Sequence, residues 1–376
     1  MKLSNELKRK IRQVIYITIF WWFVAFFFVI HDHLFKESLK GSIFKDYNFW
    51  TNLITNLFAV ATAGVTGGSI IVFFLKDRFK RRPLWFGIVV NTITFILLIS
   101  VVTIFASLFY NALVTDLPFS HPEVRSRTIE FYTGPGYLMV LVNWTIISSL
   151  TLVVLQINDK YGQGIFLDLL KGKYHKPKEE TRIFMFLDMQ GSTSIAERIG
   201  NKKYFQLLNE FFEDCTKAIV ETKGEIYQYV GDEIVISWKI KNGTKDANCL
   251  KCFFEIKNNI QQLSDKYLKR FGVVPEFKAG LHYGQITVGE VGTIKKDIIF
   301  SGDVLNTTSR MRDLCNAFEV KLLVSEDMLR LLDLKDGFQT KEIGEIQLKG
   351  KNVPIRLFNV FIGVKTAVAE KGTVKT

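Results

Sequence analysis

Hydrophobic residues are distributed very unevenly along this chain. Long uncharged runs dominate the sequence up to residue 157, whereas the remainder alternates apolar and polar positions over short segments. Four of the runs approach or reach the ~20 residues that a helix needs to cross a bilayer. They cover residues 14–30, 53–75, 85–109 and 137–157. The pattern predicts an N-terminal all-α membrane bundle of four transmembrane helices within residues 1–157.

Basic residues indicate which ends of these runs face the cytoplasm. Lysine and arginine are concentrated before the first run, between the second and third, and after the fourth, at residues 8–12, 76–82 and 160–178. Loops rich in these residues stay on the cytoplasmic side. We therefore predict a multi-pass protein of the cell membrane with both termini cytoplasmic, although Lys36, Lys40 and Lys45 in the first outer loop weaken the contrast. No small-residue cleavage site follows the first run, so a cleavable signal peptide is not predicted.

The net charge of +12 fits the same arrangement. Because the basic residues lie beside apolar runs, they indicate attraction to an anionic lipid bilayer, and no nucleic-acid partner is expected. Four spans exceed what an anchor needs, so a receptor role is an alternative, whereas the lack of interrupted helices or an inverted repeat disfavours transport. Several side chains are expected to bond between helices or line a ligand pocket: Asn52, Asn56, Asn91 and Asn143.

The polar half divides into a linker, a domain and a tail. Residues 158–180 are rich in lysine and carry apolar residues at helical spacing, which predicts a short amphipathic helix that Pro177 ends. Residues 181–362 alternate strands and helices. They predict an α+β domain with a mixed, mostly antiparallel sheet and helices on one side. Residues 363–376 form a C-terminal tail.

Local patterns within the domain predict individual elements. Strands are expected at residues 182–187, 225–230, 233–238, 277–282 and 286–290. The second and third of these would form a hairpin around Gly231 and Asp232, and the last two a second hairpin. Ser194 and Glu197 have the spacing of a capping box at a helix start, and a further helix follows Gly302.

All four cysteines lie in the polar half: Cys215, Cys249, Cys252 and Cys315. Cys249 and Cys252 form a single CxxC pair on the apolar face of a predicted helix. We interpret them as reduced core residues in a reducing compartment rather than as a zinc or redox site.

Two aspartates occupy positions where a metal site is expected. Asp188 ends a buried strand, and Asp232 lies at the tip of a hairpin whose first strand can run alongside it. Carboxylates at adjacent strand ends can hold divalent cations, which prefer oxygen ligands and bridge phosphate groups. Taken alone, this evidence is weak, because Gly-Asp turns are common and usually structural.

Five patterns strengthen it, because together they resemble the class III adenylate and guanylate cyclases. They are residues 186–193 (FLDMQGST), 229–233 (YVGDE), 280–292 (GLHYGQITVGEVG), 302–310 (GDVLNTTSR) and 348–351 (LKGK). The patterns occur in the family's order and span nearly the whole polar half. The resemblance implies a ferredoxin-like α+β catalytic domain that converts a nucleoside triphosphate to a 3′,5′-cyclic mononucleotide and pyrophosphate.

The resemblance also implies a role for each matching residue. Asp188 and Asp232, with Met189, would hold two divalent cations, Mg²⁺ or Mn²⁺. The other implied roles are phosphate binding for Gly191, Ser192 and Thr193, ribose orientation for Asn306, charge stabilisation at the α-phosphoryl group for Arg310, and neutralisation of the terminal phosphates for Lys349. In this family the metal and transition-state residues at one nucleotide come from opposite subunits. A chain carrying both sets therefore implies a homodimer with two equivalent sites.

The residues that select the base depart from the family. Adenylate cyclases typically have Lys with Asp or Thr at two positions where this chain has Gln228 and Ile299, and guanylate cyclases commonly have Glu and Cys. The amide of Gln228 can bond either purine, and Ile299 can only pack against the base. Lys278, on a neighbouring strand, is a candidate for the missing donor, and the alternative is a solvated strand lysine. ATP is the expected substrate because adenylate cyclases are the commoner members, with GTP as the alternative.

A different class of function is a catalytically inactive cyclase-homology domain that dimerises or senses nucleotide for the membrane region. The joint presence of Asp188, Asp232, Asn306 and Arg310 argues against it, because a degenerate copy is expected to lose some of them.

Overall fold

The structure is a computed structural model that describes residues 4–38, 47–75, 78, 83–161, 174, 176–294, 296–334, 337–351 and 353–363. The chain divides into two compact units, Met1–Phe166 and Leu167–Thr376. We call them the helical unit and the sheet unit. The predicted linker helix around residues 165–170 lies outside the described residues.

The helical unit contains five α-helices within its described residues. They are α1 (Asn5–Ser38), α2 (Phe49–Ser69), which continues as a π-helical segment (Ile70–Leu75), α3 (Leu84–Thr115), α4 (Pro122–Thr133) and α5 (Pro135–Tyr161). Four stretches are long and apolar enough to cross a membrane: Asn5–Ser38, Phe49–Leu75, Trp85–Thr115 and Pro135–Gln156. This confirms the four predicted segments. The short helix α4 was not predicted.

The core of the helical unit is centred on Trp21 of α1. Its side chain is 1% exposed, and its ring meets the rings of Phe95 and Trp144 edge-on at 5.4 and 5.7 Å. The indole nitrogen donates a hydrogen bond to Thr151 Oγ1 at 3.0 Å. Residues at helical spacing along α1 are buried with it: Val14, Ile17, Ala25 and Val29.

The asparagine side chains of the helical unit do not all have the predicted hydrogen bonds. Asn56 donates to both the carbonyl and the side-chain oxygen of Asn52, four residues earlier in α2, at 2.9 and 2.8 Å. Both bonds lie within one helix, so the prediction that these residues bond between helices is wrong for this pair. Asn91 is completely buried, and neither its nitrogen nor its oxygen has a hydrogen-bond partner among the described residues.

The sheet unit is built on a mixed sheet of eight strands. They are β1 (Lys178–Met189), β2 (Glu225–Val230), β3 (Glu233–Lys239), β4 (Phe277–Val291), β5 (Asp297–Ser301), β6 (Leu322–Ser325), β7 (Phe338–Ile346) and β8 (Ile355–Ile362). The order is β2-β3-β1-β4-β6-β8-β7, and β5 pairs with β4. Of the described pairs, β4 with β6 is parallel and the others are antiparallel. The predicted mixed, mostly antiparallel sheet is confirmed.

The sheet unit also contains seven described α-helices. They are α6 (Ser192–Ile199), α7 (Asn201–Glu221), α8 (Ile240–Thr244), α9 (Asn248–Gln262), α10 (Ser264–Phe271), α11 (Asp303–Leu314) and α12 (Glu326–Arg330). Gly200, with a φ of 81°, separates α6 from α7. Helix α6 begins at Ser192 after Gly191, which has a φ of 66° and gives no side-chain cap. The predicted capping pair of Ser194 and Glu197 is therefore wrong, because the turn at Gly191 starts the helix two residues earlier.

Strand β4 replaces the second predicted hairpin. Its 15 residues are continuous, and 12 of them pair with β1, from Phe277 opposite Met189 to Val288 opposite Lys178. A tight turn near Gly284 would need a positive φ, and Gly284 has none. The hairpin that does form joins β4 to β5.

Helices cover both faces of the sheet. Alternate residues of β1, namely Ile183, Met185 and Leu187, pack in one core with α7, α9, α10 and α12. Phe184 and Phe186 point to the opposite face, where Val304 of α11 packs. A Cβ on Gly280 of β4 would lie 2.5 Å from the carbonyl oxygen of Thr308. Glycine therefore lets α11 lie directly on the strand, and the prediction of helices on one side is wrong for α11.

The four cysteines are buried and free. Cys249 and Cys252 belong to the core under α7 and α9, which confirms their predicted burial on the apolar face of a helix.

Candidate active site

The candidate metal ligands meet where β1 ends. Antiparallel register places Asp188 of β1 opposite Glu233 of β3 on one side and opposite Lys278 of β4 on the other. The amide of Met189 reaches the carbonyl of Asp232 at 3.4 Å. Because paired residues point to the same face of a sheet, Asp188 lies beside the side chains of Glu233 and Lys278. The structure thus brings together Asp188, Met189 and Asp232. The neighbour of β1 is β3, the second strand of the hairpin, so the prediction that the first strand runs alongside is wrong: β2 lies at the edge of the sheet, where it pairs with β3.

Two cations lie against Asp188. Arg312 Nη1 of α11 is 3.3 Å from Asp188 Oδ1, and Lys278 Nζ is 3.6 Å from Asp188 Oδ2. Arg312 Nη1 is also 2.6 Å from Glu233 Oε2. All four side chains are at most 16% exposed. Glu233 and Arg312 were not among the predicted site residues, although Glu233 could have been found from the register of the β2–β3 hairpin.

The position of Lys278 changes its interpretation. It is 7% exposed, so the alternative of a solvated lysine is wrong. Its strand β4 also pairs with β5, where Gly289 lies opposite Ile299. A strand rises about 3.3 Å per residue, so Lys278 and Ile299 lie near opposite ends of β4. Within one chain, Lys278 therefore serves as a counter-ion of Asp188 and not as a partner of a base held by Ile299.

Burial raises the proton affinity of these carboxylates. It raises the pKa of Glu233 to about 7, with Arg312 opposing the change and the charge of Asp188 adding to it. Burial also raises the pKa of Asp188, against the attraction of Arg312 and with a contribution from Asp232. Glu233 Oε2 has no partner with hydrogen-bond geometry among the described residues, despite its ion pair. The buried Glu233 oxygen therefore depends on its ion pair with Arg312.

This donor set fits a divalent cation, in part. Carboxylate and carbonyl oxygens suit Mg²⁺ or Mn²⁺. Among the described residues, however, no group of three or more His, Cys, Asp or Glu side chains is arranged as a complete metal site. Asp188, Asp232 and the Met189 carbonyl would supply only part of such a site, which would leave ligand positions for phosphate oxygens and water, as is usual for Mg²⁺.

The candidate phosphate loop links this cluster to α6. The backbone amide of Gln190 donates a hydrogen bond to the carbonyl oxygen of Glu276 at 2.8 Å, which fixes the turn before Gly191. Ser192 and Thr193 then form the first turn of α6, whose amides have no intrahelical acceptor and favour anions. Burial and the charges of Asp232 and Asp188 raise the pKa of Tyr204, and Ser192 opposes the change, so the Tyr204 side chain lies near Ser192 and both aspartates. Tyr204 was not among the predicted site residues.

The two candidate base-selecting residues flank an aromatic contact. The rings of Tyr227 and Phe300 stack with centroids 4.3 Å apart, and the Phe300 amide donates to the Tyr227 hydroxyl at 3.0 Å. Gln228 follows Tyr227 at a β-bulge, and Ile299, which is 39% exposed, precedes Phe300. The stacked rings thus bring Gln228 and Ile299 into one neighbourhood, a juxtaposition that sequence spacing did not show.

The candidate transition-state residues lie on another flank of α11. Successive residues of a helix are rotated by about 100°, so Asn306 and Arg310 are about 40° apart and Arg312 lies about 160° from Arg310. The guanidinium of Arg310 is 3.6 Å from the position of a Cβ on Gly350, so it neighbours the turn that carries the exposed Lys349. The structure therefore brings Arg310 near Lys349 and directs Asn306 and Arg310 away from Asp188 of the same chain.

Known proteins with similar sequences share this unit. Residues 174–361 match the family described as "Adenylate and Guanylate cyclase catalytic domain". Adenylate cyclase 2 of Rhizobium meliloti is 35% identical over 226 residues, which are 60% of this chain and 62% of that protein. The adenylate cyclase of Anabaena cylindrica is 28% identical over 182 residues, which are 47% of this chain and 36% of that protein. The chain thus spans less than two thirds of these relatives.

Solved structures also resemble the chain. A bacterial light-regulated adenylyl cyclase has a TM-score of 0.49 and 22% identity, and the match covers 57% of this chain and 64% of that one. The adenylyl cyclase CyaB from P. aeruginosa has a TM-score of 0.44 and 20% identity, with 50% of this chain and 98% of that one covered.

Proposed function

The chain belongs to the adenylate and guanylate cyclase family through its sheet unit, and we propose that it is a membrane-bound adenylate cyclase that converts ATP to 3′,5′-cyclic AMP and pyrophosphate. One observation carries the proposal. The sheet gathers Asp188, Met189 and Asp232 at the end of β1, while the same chain presents Asn306 and Arg310 from a different flank of α11. The chain therefore carries the residues that would form both halves of a cyclase site.

The reaction joins the ribose 3′-oxygen to the α-phosphorus, breaks the bond from that phosphorus to the β-phosphate oxygen, and releases the hydroxyl proton to solvent. Asp188, Asp232 and the Met189 carbonyl would hold the two divalent cations. When bound, these cations lower the pKa of the 3′-hydroxyl and neutralise the triphosphate.

The remaining residues bind and orient the nucleotide. The amides at Gly191, Ser192 and Thr193 bind the β- and γ-phosphates, and Lys349 neutralises the terminal phosphates. Asn306 orients the ribose, and Arg310 stabilises the charge that grows on the α-phosphoryl group. Gln228 bonds the purine edge, and Ile299 packs against the base.

Each complete site needs two copies of this chain. Asn306 and Arg310 point away from the aspartates of their own chain, so they serve the aspartates of a second copy. A homodimer with two equivalent sites satisfies this requirement, and the isolated monomer is inactive. Four membrane-spanning helices hold the two sheet units on the cytoplasmic side, with both termini cytoplasmic.

The test is product formation from ATP and GTP side by side, using the full chain in detergent with Mg²⁺ or Mn²⁺. We expect cyclic AMP to dominate, because several of the related proteins are adenylate cyclases. Cyclic GMP as the main product would support the alternative, a guanylate cyclase. The absence of both products from a folded dimer would reject the enzyme and leave an inactive cyclase-homology domain.

A further inference from the structure

Helix α11 carries functional charge on two flanks. Arg310, with Asn306, lies on one flank, and Arg312 lies roughly 160° around the helix axis. The two arginines are separated by a single residue, Met311, whose side chain is completely buried in the sheet unit. A displacement of the α11 backbone at Arg312 therefore also moves Arg310, which lies less than one helical turn away.

Arg312 is held at several points. Its Nη1 contacts Glu233 at 2.6 Å and Asp188 at 3.3 Å, and its Nη2 contacts Asp313 at 2.9 Å and donates to Ser309 Oγ at 3.2 Å. The side chain is 16% exposed. Guanidinium bonds to carboxylates are among the stronger hydrogen bonds in proteins and are stronger still away from water. Arg312 thus links α11 to the candidate metal ligand of its own chain.

The backbone of α11 is fixed at the same place. A Cβ on Gly280 would lie 2.5 Å from the Thr308 carbonyl oxygen and 2.8 Å from the Arg312 amide nitrogen. The helix therefore rests on β4 beside Lys278, two residues along the strand, which is the other cation at Asp188. The metal cluster and the end of α11 form one packed assembly.

We propose that Arg312 is a positioning residue that competes with the divalent cation for Asp188 in its own subunit and, through α11, sets the position of Arg310 in the opposite site. The inference rests on the proposed function and on a site shared between two subunits. A divalent cation bound at Asp188 would replace Arg312 as the partner of that carboxylate, and Arg312 would remain paired with Glu233. Cation binding at one site thereby weakens the attachment of α11, which carries Arg310 of the other site. Such coupling between two sites is reciprocal.

The first test measures metal binding without turnover. Mn²⁺ is titrated into the full chain in detergent at fixed pH and followed by electron paramagnetic resonance, counting only the signal that Asp188→Ala removes. We expect Arg312→Gln to bind Mn²⁺ about tenfold more tightly, because a charge-assisted bond no longer competes. Arg312→Lys should bind with intermediate affinity.

Arg330→Gln is the matched control, since Arg330 pairs with Glu326 on the surface of α12, and it should bind as the wild type does. Equal Mn²⁺ affinity in the wild type, Arg312→Gln and Arg312→Lys would overturn the competition. This result does not depend on catalysis, so it also stands if the wild type forms no product, an outcome that would reject the proposed function instead.

The second test separates the two effects of Arg312. A heterodimer of an Asp188→Ala chain and an Arg310→Ala chain has one intact site, with aspartates from the Arg310→Ala chain and Arg310 from the other. Arg312→Gln in the Arg310→Ala chain should lower the Mn²⁺ concentration for half-maximal rate about tenfold. Arg312→Gln in the Asp188→Ala chain should instead lower the maximal rate about tenfold and leave the Mn²⁺ concentration for half-maximal rate unchanged. The reason is that this chain supplies Arg310, and misplacing a catalytic group slows the chemistry. No change of rate in the latter would exclude coupling through α11.

Discussion

Many threonine hydroxyls in the long apolar helices donate to a carbonyl of their own helix, whereas the most buried arginines of the sheet unit pair with carboxylates of elements distant in sequence. In the helical unit, Thr62 and Thr94 each donate to the carbonyl four residues earlier, at 3.0 and 2.8 Å. In the sheet unit, Arg182 of β1 donates to Glu225 of β2 at 2.7 Å, and Arg312 of α11 pairs with Glu233 of β3. These polar groups are paired in both units, but over different sequence distances.

This difference follows from the surroundings of each unit. A helix in hydrocarbon must satisfy its polar groups internally, and nearby carbonyls are the partners that local sequence guarantees. The sheet unit can bury charge because strand register supplies an opposite charge. Its chemistry therefore depends on a few long-range pairs, while the helical unit depends mainly on apolar packing. Five predictions test this contrast, beginning with the largest effect.

Loss of one charged group in the sheet unit should abolish catalysis. We expect Asp188→Ala and Arg310→Ala each to slow cyclic nucleotide formation by about a thousandfold, as removal of one electrostatic stabiliser typically does. Phe58→Leu in the helical unit, where the side chain is 72% exposed, should change the rate less than about twofold. Rates are measured on full chains in detergent.

Mixing the two inactive variants should restore activity to roughly a quarter of the wild-type rate, because half of the dimers then carry one intact site of two. Absence of any recovery, with heterodimers demonstrated, would contradict the shared site.

A methyl group on Gly280 should destabilise the sheet unit strongly. Gly280→Ala places Cβ against backbone atoms of α11, and we expect a loss of about 3 kcal/mol in the free energy of unfolding. Gly272→Ala is the control, because Gly272 has a φ of 71° with open space around it, and it should cost about 1 kcal/mol. Urea unfolding is followed by labelling of the buried cysteines, which all lie in the sheet unit. Equal losses would show that α11 can shift without cost.

The metal-free sheet unit should lose stability as pH rises. The pKa of Glu233 is about 7 in the folded chain and 4.5 without the fold. The folded state therefore binds this proton more tightly, and its contribution is full below pH 4.5 and lost as pH rises through about 7. The loss is on the order of 3 kcal/mol. The same urea unfolding, in chelator and with a thiol reagent active in acid, should give a flatter profile for Glu233→Gln. An unchanged slope in that variant would exclude Glu233 as the source.

Removing the buried amide of the helical unit should have the smallest effect, and in the opposite direction. Asn91→Leu replaces a buried group that has no hydrogen-bond partner among the described residues, so we expect the unit to gain about 1 kcal/mol. Thermal unfolding in detergent measures this, with Asn56→Leu as the control that breaks the bonds to Asn52. Destabilisation by Asn91→Leu would mean that the amide bonds a water molecule or a bound ligand.

Features that depend on neighbouring residues could be predicted from the amino-acid sequence. Four uncharged runs predicted the four spanning helices, because length and hydropathy are local properties. The strand that ends at Asp188 and the hairpin that carries Asp232 followed from alternation and from a Gly-Asp turn. Asn306 and Arg310 share a flank of α11 because they are four residues apart.

Contacts between residues distant in the chain could not be predicted in this way and became visible in the folded structure. The sequence pattern predicted two strands in place of β4, because glycines within a strand are typical of turns. In the structure Gly280 and Gly284 instead allow α11 to pack closely on the strand. Arg312, Lys278 and Glu233 converge on Asp188 through strand register and the position of α11, neither of which is encoded in local spacing. The same placement directs Asn306 and Arg310 away from their own aspartates, because side chains leave a helix at fixed angles once one flank is buried.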